Sequence, residues 1–307
     1  MDLSSRRTGQ LKGICRLCDT EARLEESHII PAFVYKWLKV SAAASFMRFG
    51  TQPNKRVQDG FKRFWLCRKC EDTLNGWETK FANELFYSFN KGKADRVSYD
   101  RWLLKFCVSI SWRVLTLFVE ENQLTDFPEE LQEETKNALA IWKKFLLDAL
   151  PHPGPHQQHF LPWDAVEAVT DKNTPVNINR YILRSIDVDA VRSKSTAFVY
   201  SKLGRFMILG FISSKHPRHW EDTMVHLRGT IQPQRYVLPA WFGDYVYSRA
   251  RRTRRGLLMA LSERQKEKTR QDSFQDIDRT ANSETFSAVD HDVKLFGKRV
   301  FEIEEDN

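Results

Sequence analysis

Two stretches, "CRLCDTEARLEESHIIP" at 15–31 and "FWLCRKCEDTLNGWE" at 64–78, decide how this chain is read. Each carries a C-x2-C pair, Cys15/Cys18 and Cys67/Cys70, and the only other cysteine is Cys107. A C-x2-C knuckle lets two thiolates reach one ion from a tight turn. Two knuckles complete a tetrahedral four-sulfur site, which prefers zinc. Residues 19–66 separate the pairs, more than in a minimal zinc finger, so a further structural unit is inserted between them. Cys107 sits in "WLLKFCVSISWRVLTLF" with Leu103, Phe106, Ile110, Val114, Leu117 and Phe118 at helical spacing, and reads as a small buried apolar residue.

The bulk properties set the frame for that site. The chain has 307 residues, with 48 Lys and Arg against 40 Asp and Glu, a net charge of +8. This length suits one large domain or two or three smaller ones. A mildly basic balance suits a polyanionic partner without requiring one. No uninterrupted apolar run of bilayer length is visible, so no transmembrane helix is expected. "MDLSSRRTGQLKG" at the start has no apolar core and does not read as a secretory signal. A cytoplasmic location is therefore expected, where thiols stay reduced and paired cysteines bind metal rather than form disulfides.

Between the knuckles, "SHII" is a short β-like run ended by Pro31, and "AFVYKWLK" reads as a short helix. "SFMRFGTQPNKRVQDGFKRFWLC" alternates and turns as a hairpin does, with punctuation at Pro53-Asn54 and Asp59-Gly60. After Cys70, "EDTLNGWETKFANELFYSF" reads as a helix with Leu74, Trp77, Phe81 and Leu85 on one face and Glu71, Asn75 and Glu78 on another.

The order knuckle, histidine strand, hairpin, knuckle, helix resembles the zinc-stapled subgroup of the HNH (ββα-metal) endonuclease family, over about residues 13–85. The resemblance implies that Cys15, Cys18, Cys67 and Cys70 hold a structural zinc. It implies that His28 is the general base, that Asn54 orients it, and that a residue on the following helix helps hold a catalytic divalent ion. Two positions depart from the family pattern. Ser27 stands where an acidic ligand usually precedes the base. Glu71 stands where a His usually follows the last knuckle, and its carboxylate suits Mg²⁺ or Mn²⁺. Glu26, Asp59 and Glu78 are further candidates for a missing ligand.

The expected fold class is thus α+β. A zinc-stapled, treble-clef-like module over 1–90 is followed by a helical region over 91–150, a Pro-rich connector over 151–175, and an α+β region over 176–307. Two strong helices are expected in the helical region, in "SYDRWLLKFCVSISWRVLTLFVEEN" and "PEELQEETKNALAIWKKFLLDAL". "PHPGPHQQHFLP" reads as a break in regular structure, where His152, His156 and His159 are poor metal candidates. "NRYILRSIDVDAV", "STAFVYSKLG" and "RFMILGFISS" read as strands of a small antiparallel sheet, with a hairpin turn at "KLGR". His216 and His219 read as a surface loop. Residues 239–275 read as one long helix.

Two basic groups suggest nucleic acid. Residues 48–69 hold Arg48, Lys55, Arg56, Lys62, Arg63, Arg68 and Lys69 against only Asp59, a one-sided cluster that repels itself without an acidic partner. Phe61, Phe64 and Trp65 are interleaved with them; base stacking is possible, but core is favoured because Phe64 and Leu66 share a face of an alternating strand. "RARRTRR" adds Arg249, Arg251, Arg252, Arg254 and Arg255, either a phosphate-binding element or a solvated helix with acidic contacts elsewhere. The acidic tail "FEIEEDN" either folds against such a patch or stays flexible.

Two functions follow. One is metal-dependent nucleic-acid cleavage, with DNA favoured over RNA and, by analogy with such modules, a place in bacterial defence. The other is a catalytically degenerate zinc module that binds nucleic acid or a protein without cutting.

Overall fold

A computed structural model describes residues 11–44, 46–258 and 261–302. The chain is mixed α+β, built from small antiparallel sheets wrapped by helices. The N-terminal third runs β1 (Lys12–Ile14), β2 (Glu21–His28), α1 (Ala32–Val40), β3 (Met47–Phe49), β4 (Gln52–Val57), β5 (Lys62–Cys67), α2 (Arg68–Lys80), a π-helical segment Phe81–Phe86 and α3 (Tyr87–Asn90). Strand order β1-β2-β5 gives one antiparallel sheet, and β3-β4 gives a separate hairpin. The hairpin turns at Gly50-Thr51, not at Pro53-Asn54, which lie inside β4. Strand β5 leaves the hairpin and pairs with β2, with His28 opposite Lys62 and Ser27 opposite Arg63.

A bulge at Glu25/Glu26 in the β2–β5 ladder breaks the alternation assumed for this sheet. Trp65 and Leu66 are both buried, whereas Phe61 and Phe64 are about half exposed, at 49% and 48%. The expectation that Phe64 shares the core with Leu66 is therefore corrected. Phe61 instead stacks on Phe49 at 4.5 Å between ring centroids.

Next come β6 (Val97–Tyr99), α4 (Arg101–Glu120) and α5 (Glu129–Leu146). Asp100 caps α4, its Oδ1 accepting from the Trp102 N–H at 3.0 Å. By length and composition α4 is apolar enough to cross a bilayer, yet 89% of its apolar window is buried inside the protein. Cys107 is fully buried there, as its spacing predicts.

The Pro-rich stretch is less irregular than its composition suggests. Gln158–Pro162 forms β7, the edge of a four-stranded antiparallel sheet in the order β7-β10-β9-β8. The other strands are β8 (Ile186–Arg192), β9 (Thr196–Leu203) and β10 (Phe206–Ser214). "NRYIL" is helical rather than extended, as α6 (Ile178–Arg184), and only the residues after it enter β8. Gly204, at φ +62°, makes the expected β9–β10 turn. A short 3-10 turn, Pro217–Thr223, carries the exposed His216–His219 region into β11 (Gly229–Ile231), which pairs with β6.

Strand β9 is buried on both faces. Ala197, Val199 and Leu203 share a core with α4 and α5, whereas Phe198 and Tyr200 join aromatic residues of α6 and of α7 (Ala240–Leu258). The first core runs without a break from Cys15 to Phe206 and Ile231, across the borders expected near residues 90 and 150. Beyond α7 lie α8 (Glu263–Gln275), α9 (Ile277–Ala281) and α10 (Glu284–Phe296), so the expected single helix over 239–275 is two. Residues 303–307 of the acidic tail, and the first ten residues, lie outside the described residues.

The C-terminal helices return to the N-terminal third. Arg184, nearly buried, stacks over Trp37 and donates to Ser41 Oγ at 2.7 Å and to Glu284 Oε2 at 2.8 Å, tying α6, α1 and α10 together.

Two features of the central sheet generate measurable expectations. A Cβ on Gly210 would lie 2.5 Å from Ser111 Cβ and 3.1 Å from Trp142. Gly210→Ala should therefore lower stability by about 1–3 kcal/mol through overpacking, read by denaturant unfolding. His159 is buried, its Nδ1–H donating to the Trp220 carbonyl at 3.0 Å while Nε2 meets no hydrogen-bond partner. Burial outweighs that hydrogen bond and pulls its pKa from 6.5 to about 3. The unfolded chain then takes up a proton that the native state refuses. Stability should fall by about 1.4 kcal/mol per pH unit from this group between the two values. A shallower decline in His159→Phe, measured by unfolding from pH 7 to pH 4, checks it.

Candidate metal centre and histidine site

The first knuckle is a tight turn between β1 and β2. Cys15 N–H donates to the Thr20 carbonyl, and Asp19 takes a φ of 57° to close the loop. The second knuckle lies at the junction of β5 and α2, where Cys67 ends the strand and Cys70 sits in the first helical turn. The Arg16 N–H bonds the Trp65 carbonyl at 2.8 Å, which brings the two knuckles into register.

The four sulfurs lie within 4.8 Å of one another, and Cys18 Sγ is 3.7 Å from Cys67 Sγ. A tetrahedral ion with Zn–S bonds of about 2.3 Å separates its sulfurs by about 3.8 Å, so the cluster has the size of a four-thiolate zinc site. Burial, and then the neighbouring sulfurs, push the Cys70 thiol well above its usual range. The Cys18 thiol is also opposed by burial, but hydrogen bonds from Thr20 and the sulfurs of Cys15 and Cys70 bring it down to about 6. A central cation relieves that crowding of negative sulfur. The residues fit a structural metal such as zinc. Among the described residues this is the one such group of three or more His, Cys, Asp or Glu side chains.

At the other end of β2 the side chains have a different chemistry. His28 Nε2 lies 2.8 Å from Asp59 Oδ1, and its side chain is 19% exposed. Asp59 precedes Gly60 in the turn before β5, where a Cβ on Gly60 would overlap the Tyr35 ring. The absence of that Cβ lets the turn close against Tyr35 and puts Asp59 beside the imidazole. Burial raises the Asp59 pKa, but bonds from Lys62, His28 and the Gly60 N–H outweigh it and hold the carboxyl far below the usual range. The ionised carboxylate only accepts, so it fixes the proton on Nε2 and leaves Nδ1 as the basic nitrogen.

Ser27 is fully buried and donates to Glu71 Oε2 at 2.5 Å. The two positions that depart from the family pattern are thus bonded to each other across β2 and α2. Two turns further along α2, Glu78 forms an ion pair with Arg113 of α4 at 2.7 Å. Burial raises the Glu78 pKa, Arg113 opposes it, and Glu71 and His28 are close enough to contribute.

Other sequence expectations are redistributed. Asn54, expected to orient His28, lies on β4, with Oδ1 accepting from the Ser262 N–H at 2.8 Å. Asp59 takes the place beside the imidazole. The expected self-repulsion of residues 48–69 is relieved within the chain. Arg56 pairs with Asp272 at 2.7 Å, Lys62 with Asp59 at 2.8 Å and Glu26 at 3.2 Å, Arg63 with Glu121, and Arg68 with Asp72 at 3.4 Å. Lys55 and Lys69 are exposed. Within "RARRTRR", Arg249 pairs with Asp187 and with Asp189 at 2.9 Å. Arg251 donates to the Asn173 carbonyl, and Arg254 to the carbonyls of Arg299 and Glu302. Arg252 and Arg255 are exposed. Much of this positive charge therefore faces acceptors that sequence distance had hidden.

The roles of Arg113 and Glu121 were not read from the sequence. Both lie in or just after a helix that reads as core, and no local signal marks what they reach. The chain matches no protein-family model, no curated protein and no solved structure.

Loss of one sulfur ligand should open the metal centre. Cys67→Ser should lose its bound metal and unfold at a lower temperature, whereas Cys107→Ala should keep the metal. Metal content by mass spectrometry alongside thermal unfolding checks both.

Proposed function

We propose that this chain is a metal-dependent nuclease that hydrolyses phosphodiester bonds on an HNH-like ββα unit, formed by β2, β5 and α2 over the four-cysteine staple. The observation that carries this reading is the His28–Asp59 pair at the end of β2, with the Glu71 carboxylate tied to the adjacent residue, Ser27.

In this reading His28 Nδ1 takes a proton from the attacking water, and Asp59 holds the ring and stabilises the imidazolium that forms. Glu71 is the candidate ligand for Mg²⁺ or Mn²⁺, which supplies charge relief on the phosphate and the leaving oxygen. A single carboxylate is compatible with such an ion, because Mg²⁺ keeps several waters and draws remaining ligands from phosphate. The cysteines stay structural. Exposed Lys55, Lys69 and Arg252 are the basic side chains best placed to meet a polyanion, with DNA favoured over RNA. A bacterial-defence role belongs to the same reading by analogy.

One observation favours the second reading, binding without cleavage. Ser27 occupies one oxygen of Glu71 at 2.5 Å.

Incubation with duplex DNA, single-stranded DNA and RNA in Mg²⁺, Mn²⁺ or Ni²⁺ separates the two. The nuclease reading expects cleavage that falls by about 10²–10⁴-fold in His28→Ala, with metal content of the cysteine centre unchanged. Binding with no cleavage in every ion would establish the second reading instead.

A further inference from the structure

We propose that Arg113 is a positioning residue for His28, and that through it helix α4 sets the distance between the strand carrying the base and the helix carrying Glu71. This rests on the reading of His28 as the base.

Arg113 is 2% exposed. Its guanidinium makes three contacts in three directions. Nε donates to the Ser109 carbonyl one turn back on α4 at 3.2 Å. Nη1 donates to the carbonyl of His28 itself at 2.9 Å. Nη2 forms the ion pair with Glu78 Oε1 at 2.7 Å. The first contact fixes the side chain to its own helix, and the other two join β2 to α2 through one rigid plane.

The placement is specific. The bond on β2 falls on residue 28, the last of the strand, next to Ser27, which bonds Glu71. The ion pair on α2 falls on the acidic face that carries Glu71. Two independent links, Ser27–Glu71 and His28–Arg113–Glu78, therefore hold the same strand end against the same helix. A planar fork can donate to two carbonyls while Nη2 keeps its charge beside the Glu78 carboxylate, whereas an ammonium on a flexible stem cannot keep that arrangement. Misplacement of a base by about 1 Å costs on the order of 10²-fold in rate.

The test compares Arg113→Lys, Glu78→Gln and, as a control, Cys107→Ala. Cys107 is buried in the same helix and contacts none of these groups by hydrogen bond or ion pair. Each variant is characterised for metal content, thermal unfolding, kcat and KM on a DNA substrate, and the ring resonances of His28 by NMR. Arg113→Lys should lower kcat by about 10–100-fold with KM within about twofold and metal retained, and should shift the His28 ring signals. Glu78→Gln, which keeps the side-chain shape and an acceptor oxygen, should give a smaller change in the same direction. Cys107→Ala should lose stability while leaving kcat and the His28 signals in place.

An unchanged kcat per folded molecule in Arg113→Lys would overturn the proposal, as would His28 signals that move equally in Cys107→Ala. If the wild type cleaves no substrate, the nuclease reading has failed on its own. The His28 signals then decide the Arg113 link. Should Arg113→Lys fail to fold, Glu78→Gln decides it by the same two readouts.

Discussion

The N-terminal architecture depends on the closure of four sulfurs around one centre. That closure joins a loop before β2 to the junction of β5 and α2, so it fixes one end of the strand pair and the start of the helix together. Once those ends are fixed, the β2–β5 ladder determines what lies at the other end. Ser27 faces α2 and Glu71, whereas His28 faces the Asp-Gly turn. Four thiolates brought this close repel one another unless a cation holds them, so a bound ion would make the staple a source of folding free energy as well as of geometry.

The same N-terminal unit is not cored by itself. Phe81 stacks on Phe106 of α4 at 3.9 Å, and meets Phe160 and Phe206 of the four-stranded sheet edge-on. Helix α4 is the shared element, with one face toward α2 and another toward the sheet. Its buried polar side chains are individually matched. Ser111 donates to Gln158 at 2.7 Å, Lys105 pairs with Asp148 at 2.8 Å, and Arg113 reaches His28 and Glu78. Such groups are costly to bury unpaired, so each match also specifies how the surrounding elements are arranged.

Charge shows where local reading reaches its limit. A one-sided basic run is an argument for a partner only if no acid in the chain comes near it. Here Asp272, Glu121, Asp72 and Glu26 do come near it. Arg249, in the most basic segment, is held by Asp187 and Asp189 on β8. The basic surface that stays exposed is smaller than the arginine count implies. It is carried by exposed side chains rather than by the whole run.

What the sequence by itself determined are features with a short-range physical cause. Two C-x2-C knuckles give a metal centre because thiolate spacing is local. The α4 and α5 helices, the β9–β10 hairpin and buried Cys107 follow from periodicity and turn chemistry. His28 stands out because it follows a knuckle in "SHIIP", although the strand it ends starts at Glu21 rather than at Ser27 and does not reach Ile29–Ile30. Only tertiary structure decided what those residues face. The bulge at Glu25/Glu26 turned Phe64 outward, and the sheet drew "QHFLP" into β7 although the prolines before and at its end argue for a loop. Asp59 rather than Asn54 met the imidazole because Gly60 lets the turn close onto Tyr35. Arg113, 85 residues from His28, reached it because packing of α4 leaves its guanidinium almost no solvent and, beyond its own helix, only the His28 carbonyl and Glu78 to face. Partners so far apart in sequence are selected by burial and packing, which no local pattern encodes.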